Sequence, residues 1–182
     1  MKELHDKRIS KLLSLILRHK PETIGLTLDE NGWANTEELL KKIRSLELIV
    51  TFELLKTIVE TNDKKRFIFS SDFNKIRANQ GHSNEVDLQL EAVTPPDNLY
   101  HGTAEQNIES IKLRGLLKGG RHHVHLSNDR ETARKVGIRY GKPVILVIDT
   151  KRMSDDGYKF YKSENDVWLT DHVSPQYIKF EE

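Results

Sequence analysis

Two adjacent prolines, Pro95 and Pro96, sit in the stretch VTPPDN near the middle of a chain of 182 residues. A proline pair fixes two φ angles and removes two backbone donors, so no helix or central strand runs through it. Each side must therefore complete its own elements. Residues 93–98 read as a linker between an N-terminal region, 1–92, and a C-terminal region, 99–182. The total length suits one ordinary domain or two small ones, and either can bury a core.

In the first region Ile9, Leu12, Leu13 and Ile16 recur at helical spacing, which predicts a helix over about 6–19. Pro21 disfavours helical geometry at Lys20 and ends it. IGLTLDENGWAN predicts a short strand and then a turn on Asn31 and Gly32. Asn35, with Glu38 three residues on, resembles a capping box and opens a second helix to about Arg44. A third helix starts near Thr51 and carries Phe52, Leu55, Ile58 and Val59 until TNDKK breaks it. RFIF and KIRAN flank the polar turn SSDFN as a hairpin. Helix, strand, helix, helix, hairpin is the order of a winged helix.

In the second region LYHGT reads as a strand running into a turn, and AEQNIESIKLRG as a helix stopped by Gly115. VHLS is a strand, after which Ser127, Asn128 or Asp129 caps a helix through about Arg139. PVILVID has the composition of a buried strand, and DVWLT and QYIKF supply further strands. The fold class expected from the whole pattern is α+β.

Composition narrows the functional classes. With 36% hydrophobic and 31% charged residues, the chain has the balance of a globular protein rather than a disordered one. No apolar stretch approaches the roughly 18–20 residues of a membrane span, and MKELHDKR lacks the apolar core of a signal peptide. A cytoplasmic protein without membrane association is expected. The absence of cysteine excludes disulfides and thiol catalysis and removes the usual ligands of structural zinc. A formal charge of +1, evenly shared between the halves, means that any phosphate recognition is local.

Several short stretches concentrate chemistry. In LILRHKP an ideal helix sets Arg18 opposite the apolar stripe and His19 at its flank, where both reach solvent or a cleft. Leu15, Ile16 and Leu17 read as the anchor. Two readings stay open here: a phosphate-facing pair, or basic side chains that complement the helix dipole by about 0.3–1 kcal/mol. Arg66 in KKRF is either a functional cation or part of a solvated turn. IRANQGHS crowds Arg77, Asn79, Gln80, His82 and Ser83 around Gly81, more polar groups than a hairpin exit requires. In GGRHHVHLS two glycines let backbone amides approach a phosphate, and Arg121 matches its oxygens. Alternation puts His123 and His125 on one strand face and His122 on the other, with no carboxylate close by, so no metal is expected.

In combination, LSLILRHKP, LTLDENGWA, DKKRF, IRANQGHS, YHGT and HVHLS resemble the RNA 2'-phosphotransferase family, in order and over nearly the whole chain. The resemblance implies an N-terminal winged-helix lobe that meets RNA and its phosphate, and a C-terminal lobe of the ADP-ribosyltransferase fold that binds NAD. It places the catalytic set on Arg18, His19, Arg66 and Arg121. It assigns NAD to His101, Gly102 and Thr103 of HGT, to Arg121, and to His125, Leu126 and Ser127 of HLS. Arg77, Gln80, Gly81, His82 and Ser83 fall where RNA would be contacted or the cleft shaped.

The implied activity is NAD-dependent removal of an internal 2'-phosphate from RNA, of the kind left at a tRNA splice junction. The route runs through an ADP-ribosylated RNA 2'-phosphate and yields 2'-hydroxyl RNA, ADP-ribose 1'',2''-cyclic phosphate and nicotinamide. NAD is then a consumed co-substrate, RNA the partner, and no metal or obligate protein partner is implied. Val167 stands where many ADP-ribosyltransferases carry a glutamate. A 2'-phosphomonoester, with a second pKa near 6, is largely dianionic at neutral pH and attacks without a general base. Two other readings remain: ADP-ribosyl transfer to terminal phosphates of nucleic acids or other acceptors, and a winged-helix nucleic-acid-binding regulator. TFELLKTIVE, with one Lys against two Glu, is a poor recognition helix and argues against the second.

Overall fold

The computed structural model describes residues 2–62, 64–83 and 86–180. Its contacts divide the chain into two compact units, Met1–Gln89 and Leu90–Glu182. Both mix helices with short antiparallel sheets, so the class is α+β. The stretch expected as a linker is bonded into the second unit. Ala92 bridges to Tyr161, the Val93 amide donates to the Phe160 carbonyl at 2.8 Å, and Asp97 accepts from the Lys151 amide at 3.1 Å. The two prolines thus form a strap, and the division falls before them.

The first unit begins with α1 (Lys2–Arg18). Its apolar stripe puts Ile9, Leu13, Ile16 and Leu17 wholly out of solvent. Leu15, expected as part of the anchor, is 37% exposed because it lies off that stripe. Lys20, at φ −139° and ψ 64°, is not helical, as its position before Pro21 requires. A 3-10 turn follows at Pro21–Ile24.

No strand forms at IGLTL; the strand here is β1 (Ala34–Asn35), beyond the turn. β1 pairs with one edge of β3 (Lys75–Ala78), and β2 (Phe67–Phe69) takes the other, giving the order β1-β3-β2. With both edges of β3 occupied, the Leu26–Leu28 stretch has no ladder to join there. Leu26 goes into the core instead.

α2 (Thr36–Arg44) is capped by Asn35, whose side chain accepts from the Glu38 amide at 2.9 Å. α3 (Phe52–Glu60) is capped in the same way by Thr51, through the Leu54 amide. Leu39, Ile43, Leu55 and Ile76 complete the core with α1.

The second unit is organised around β4 (Asn98–Ala104) and β7 (Pro143–Asp149), antiparallel over seven pairs with His101 opposite Leu146. β11 (Ile178–Phe180) covers the other edge of β7. A second sheet sets β9 (Trp168–Thr170) between β6 (Val124–Leu126) and β8 (Tyr161–Lys162), and β5 (Leu116–Leu117) pairs with β10 (His172–Val173). α4 (Ile108–Arg114) ends at Gly115, α5 (Arg130–Gly137) starts from an Asp129 cap, and α6 (Thr150–Asp155) is capped by Asp149. Leu99, Leu126, Leu146, Ile148 and Phe160 fill the core.

Gly102 explains how closely α5 sits on β4. A Cβ there would lie 1.7 Å from the Ala133 carbonyl oxygen, and one on Gly137 would lie 2.8 Å from the Thr103 oxygen. Helix and strand backbones meet where neither has a side chain.

Candidate functional site

In the first unit the irregular segment after β3 is bonded at one end to the loop that carries Arg66 and at the other to the end of α1. Asn79, 5% exposed, donates its side-chain amide to the Lys65 carbonyl at 2.6 Å, and its backbone amide donates to the Arg66 carbonyl at 2.9 Å. Asn62, at the end of α3, steadies the same loop: its Oδ1 accepts from the amides of Lys64 at 3.2 Å and Arg66 at 3.4 Å. Its Nδ2 reaches Ser10 of α1 at 3.4 Å. Arg66 therefore leaves a loop tied both to the first helix and to the hairpin exit.

The other end of the segment meets the end of α1. The Ser83 amide donates to the Arg18 carbonyl at 2.9 Å, and the Ser83 hydroxyl lies 3.0 Å from His19 Nδ1. His19 is exposed, whereas Arg18 is half-buried with Nε and Nη2 inside. Gly81, at φ +80°, turns the chain between the two ends in a conformation that glycine adopts without strain. His82 is 1% exposed and lies under the Asn31–Gly32 turn, where a Cβ on Gly32 would be 3.2 Å from its Nε2. Gln80 is half-buried.

Arg77 stacks its guanidinium 4.5 Å from the Trp33 ring centroid and directs Nη1 to the Asn31 carbonyl at 3.4 Å. Asp29 fixes that turn by accepting from the amides of Asn31 and Trp33 and from Lys75 Nζ.

In the second unit the candidate residues are carried mainly by strands. His101 of β4 sets Nδ1 3.0 Å from the His125 carbonyl of β6. Burial holds the His101 imidazole below the usual histidine range; the bond to the His125 carbonyl opposes this, and the Arg121 charge adds to it. The ring is thus neutral at pH 7, with Nδ1–H donating to the carbonyl and a lone pair on Nε2. Arg121 is exposed and places Nη1 3.5 Å from His125 Nδ1. Beside it, a Cβ at Gly119 or Gly120 would meet nothing within 4 Å. Ser127 exchanges amide–carbonyl bonds with Tyr100 at 2.7 and 2.9 Å, which ties the end of β6 to β4.

The remaining predicted residues lie inside. Gly102 faces α5, the Thr103 hydroxyl accepts from Asn107 at 3.1 Å, and Leu126 is 1% exposed. His123 packs against the Tyr161 ring and lies 3.8 Å from Asp171. Among the described residues, no three His, Asp or Glu side chains gather as a metal site. Nor is any helix among them long and apolar enough to cross a membrane.

Sequence reasoning passed over Asn62, which lay in a stretch read only as a helix breaker. It also passed over Arg130, whose guanidinium stands 5.2 Å from the Tyr100 ring beside Ser127. Neither carries a motif; both are found by their contacts.

The fold and these groups define an α+β protein of two units, each presenting an imidazole together with arginine. The family model described as "RNA 2'-phosphotransferase, Tpt1 / KptA family" matches residues 4–172. A "Probable RNA 2'-phosphotransferase" of Fusobacterium nucleatum is 56% identical over 177 residues, 97% of this chain and 99% of the relative. That of Flavobacterium johnsoniae is 55% identical over 180 residues, 99% of both chains. A third, from Acaryochloris marina, is 54% identical over 172 residues, 94% of this chain and 95% of the relative. The chain belongs to the RNA 2'-phosphotransferase family.

Proposed function

We propose that this protein removes an internal 2'-phosphate from RNA by transferring it to NAD. The observation that carries the reading is the segment 79–83, bonded at one end to the Arg66 loop and at the other to Arg18 and His19. Arginine and histidine on stretches bonded to one polar segment suit an anion, since charge-assisted hydrogen bonds contribute about 1.5–3 kcal/mol each. In this reading the first unit is a winged-helix lobe for RNA, and the second is the NAD lobe of an ADP-ribosyltransferase.

The residues of the second unit fit NAD. The His101 lone pair at Nε2 accepts from a ribose hydroxyl, Arg121 neutralises phosphate charge, and the space beside Gly119 and Gly120 lets a diphosphate reach the backbone. NAD supplies the electrophilic ribose carbon that accepts the phosphate, and the products are nicotinamide, 2'-hydroxyl RNA and ADP-ribose 1'',2''-cyclic phosphate. Arg18, His19 and Arg66 hold the transferred phosphate and offset the charge that builds on its oxygens during transesterification. His19, exposed and not enclosed, is also placed to exchange a proton. No side chain is needed to activate the dianionic nucleophile, and Val167, in the Ser163–Val167 turn before β9, has none to offer.

The test is incubation with NAD and an oligonucleotide carrying one internal 2'-phosphate. Nicotinamide release together with a new 2'-hydroxyl is expected; absence of both rejects the assignment. A stable ADP-ribosylated product with no cyclic phosphate would instead identify an ADP-ribosyltransferase acting on phosphate ends.

A further inference from the structure

Of the candidate site residues, Ser83 has the most specific pair of contacts and no role in the chemistry just described. Its amide is fixed on the Arg18 carbonyl at 2.9 Å, so its hydroxyl is delivered to His19 Nδ1 at 3.0 Å without a free search. The preceding residues make that delivery possible: Gly81 supplies the positive φ, and His82 is buried next to Gly32. We propose that Ser83 is a positioning residue that orients the His19 imidazole, and that the QGHS stretch is the device that delivers it rather than a surface that reads RNA.

The chemistry of a hydroxyl suits this task. It accepts from Nδ1–H when His19 is an imidazolium, and when the ring is neutral it can accept from Nδ1–H or donate to Nδ1. A carbonyl in the same place would accept only and would leave neutral Nε2 without a proton. The hydroxyl therefore keeps the ring oriented whether Nε2 holds a proton toward the phosphate or has given it up, which a histidine that both binds and exchanges a proton requires.

This inference rests on the role proposed for His19, but its test does not depend on activity alone. Ser83→Ala keeps the backbone bond to Arg18 and removes only the hydroxyl; Ser83→Thr restores a hydroxyl. Imidazole nitrogen NMR reads the His19 tautomer directly in the full-length protein. In Ser83→Ala the balance between the Nδ1–H and Nε2–H forms of the neutral His19 ring should change, and Ser83→Thr should return it.

With NAD and the 2'-phosphorylated oligonucleotide, Ser83→Ala should lower kcat about tenfold while KM for NAD stays within about twofold, and Ser83→Thr should recover most of the rate. A Ser83→Ala protein with the wild-type His19 spectrum overturns the proposal, whatever its rate. So does a Ser83→Thr protein that fails to restore the spectrum. If the wild-type protein shows no 2'-phosphate transfer, the proposed function falls, while the spectra still decide whether Ser83 sets the ring.

Discussion

His19 and His101 are held alike and yet differently. Each has Nδ1 3.0 Å from an oxygen, that of a serine hydroxyl for His19 and that of the His125 carbonyl for His101. His19 is exposed at the end of a helix, and its partner can donate or accept. His101 is set into a strand pair, and its partner only accepts. The first arrangement tolerates a change of protonation; the second fixes one tautomer and, with burial, keeps the ring neutral. A group that handles a phosphate needs the former, and one that accepts from a sugar hydroxyl needs the latter.

The comparison can be broken at several points. The largest effect is expected from Arg66→Ala or Arg121→Ala, which should lower the rate of 2'-phosphate loss by about 100- to 1000-fold, as removal of one preorganised donor does. Product analysis should find RNA trapped in its ADP-ribosylated form. Normal turnover by either variant would remove that residue from the catalytic set.

Next comes the scaffold beneath His101. Gly102→Ala puts a methyl 1.7 Å from the Ala133 oxygen and should cost about 3 kcal/mol or more in urea denaturation. Gly120→Ala, with open space around it, should change stability by less than about 0.5 kcal/mol. Equal losses would mean that α5 is not seated on β4 as described.

In the first unit Asn79→Ala leaves the Lys65 carbonyl without its 2.6 Å donor and should destabilise by about 1–3 kcal/mol. It should also weaken RNA binding more than NAD binding, because the loop that it releases carries Arg66. A variant with unchanged RNA affinity would separate that loop from substrate binding.

The smallest effect concerns pH. Folded His101 resists protonation, and His123 shares the direction, chiefly through burial. As pH falls below the ordinary histidine value of 6.5, the unfolded chain binds protons that the folded chain does not, so stability declines with acid. His101→Gln should flatten part of that decline between pH 7 and 5. A slope unchanged by the substitution would show that His101 titrates normally.

Legibility in the sequence followed the physics of each element. The helix stripe of Ile9, Leu13 and Ile16, the cap at Asn35, the helix start near Thr51, and the hairpin around SSDFN are local signals, and all of them appear in the structure. IGLTL has strand alternation but forms no strand, because strand pairing is decided by partners distant in sequence that local alternation does not encode. β5, β8 and β10 are two residues each, too short to show a period. α6 has little apolar periodicity, with Met153 as its buried apolar residue, and was not foreseen.

At the site, the motif residues were visible as crowded polar groups, but their division of labour was not. Gly102 entered only as part of the HGT stretch; its contact with α5 depends on the folded chain and is not written in the motif. Ser83 read as a group that contacts RNA or shapes the cleft; in the structure it bonds to Arg18 and His19. Asn62 holds the Arg66 amide through its side chain and Asn79 holds the Arg66 carbonyl from the hairpin exit, contacts that the spacing of the motifs does not reveal.

The most direct test of the account follows the phosphorus atom itself. An RNA oligonucleotide radiolabelled at a single internal 2'-phosphate is incubated with the protein, with and without NAD, and the small-molecule product is identified. The label should leave the RNA only when NAD is present and should appear in ADP-ribose 1'',2''-cyclic phosphate. Label released as inorganic phosphate without NAD, or retained in the RNA under all conditions, would contradict phosphoryl transfer to NAD by this protein.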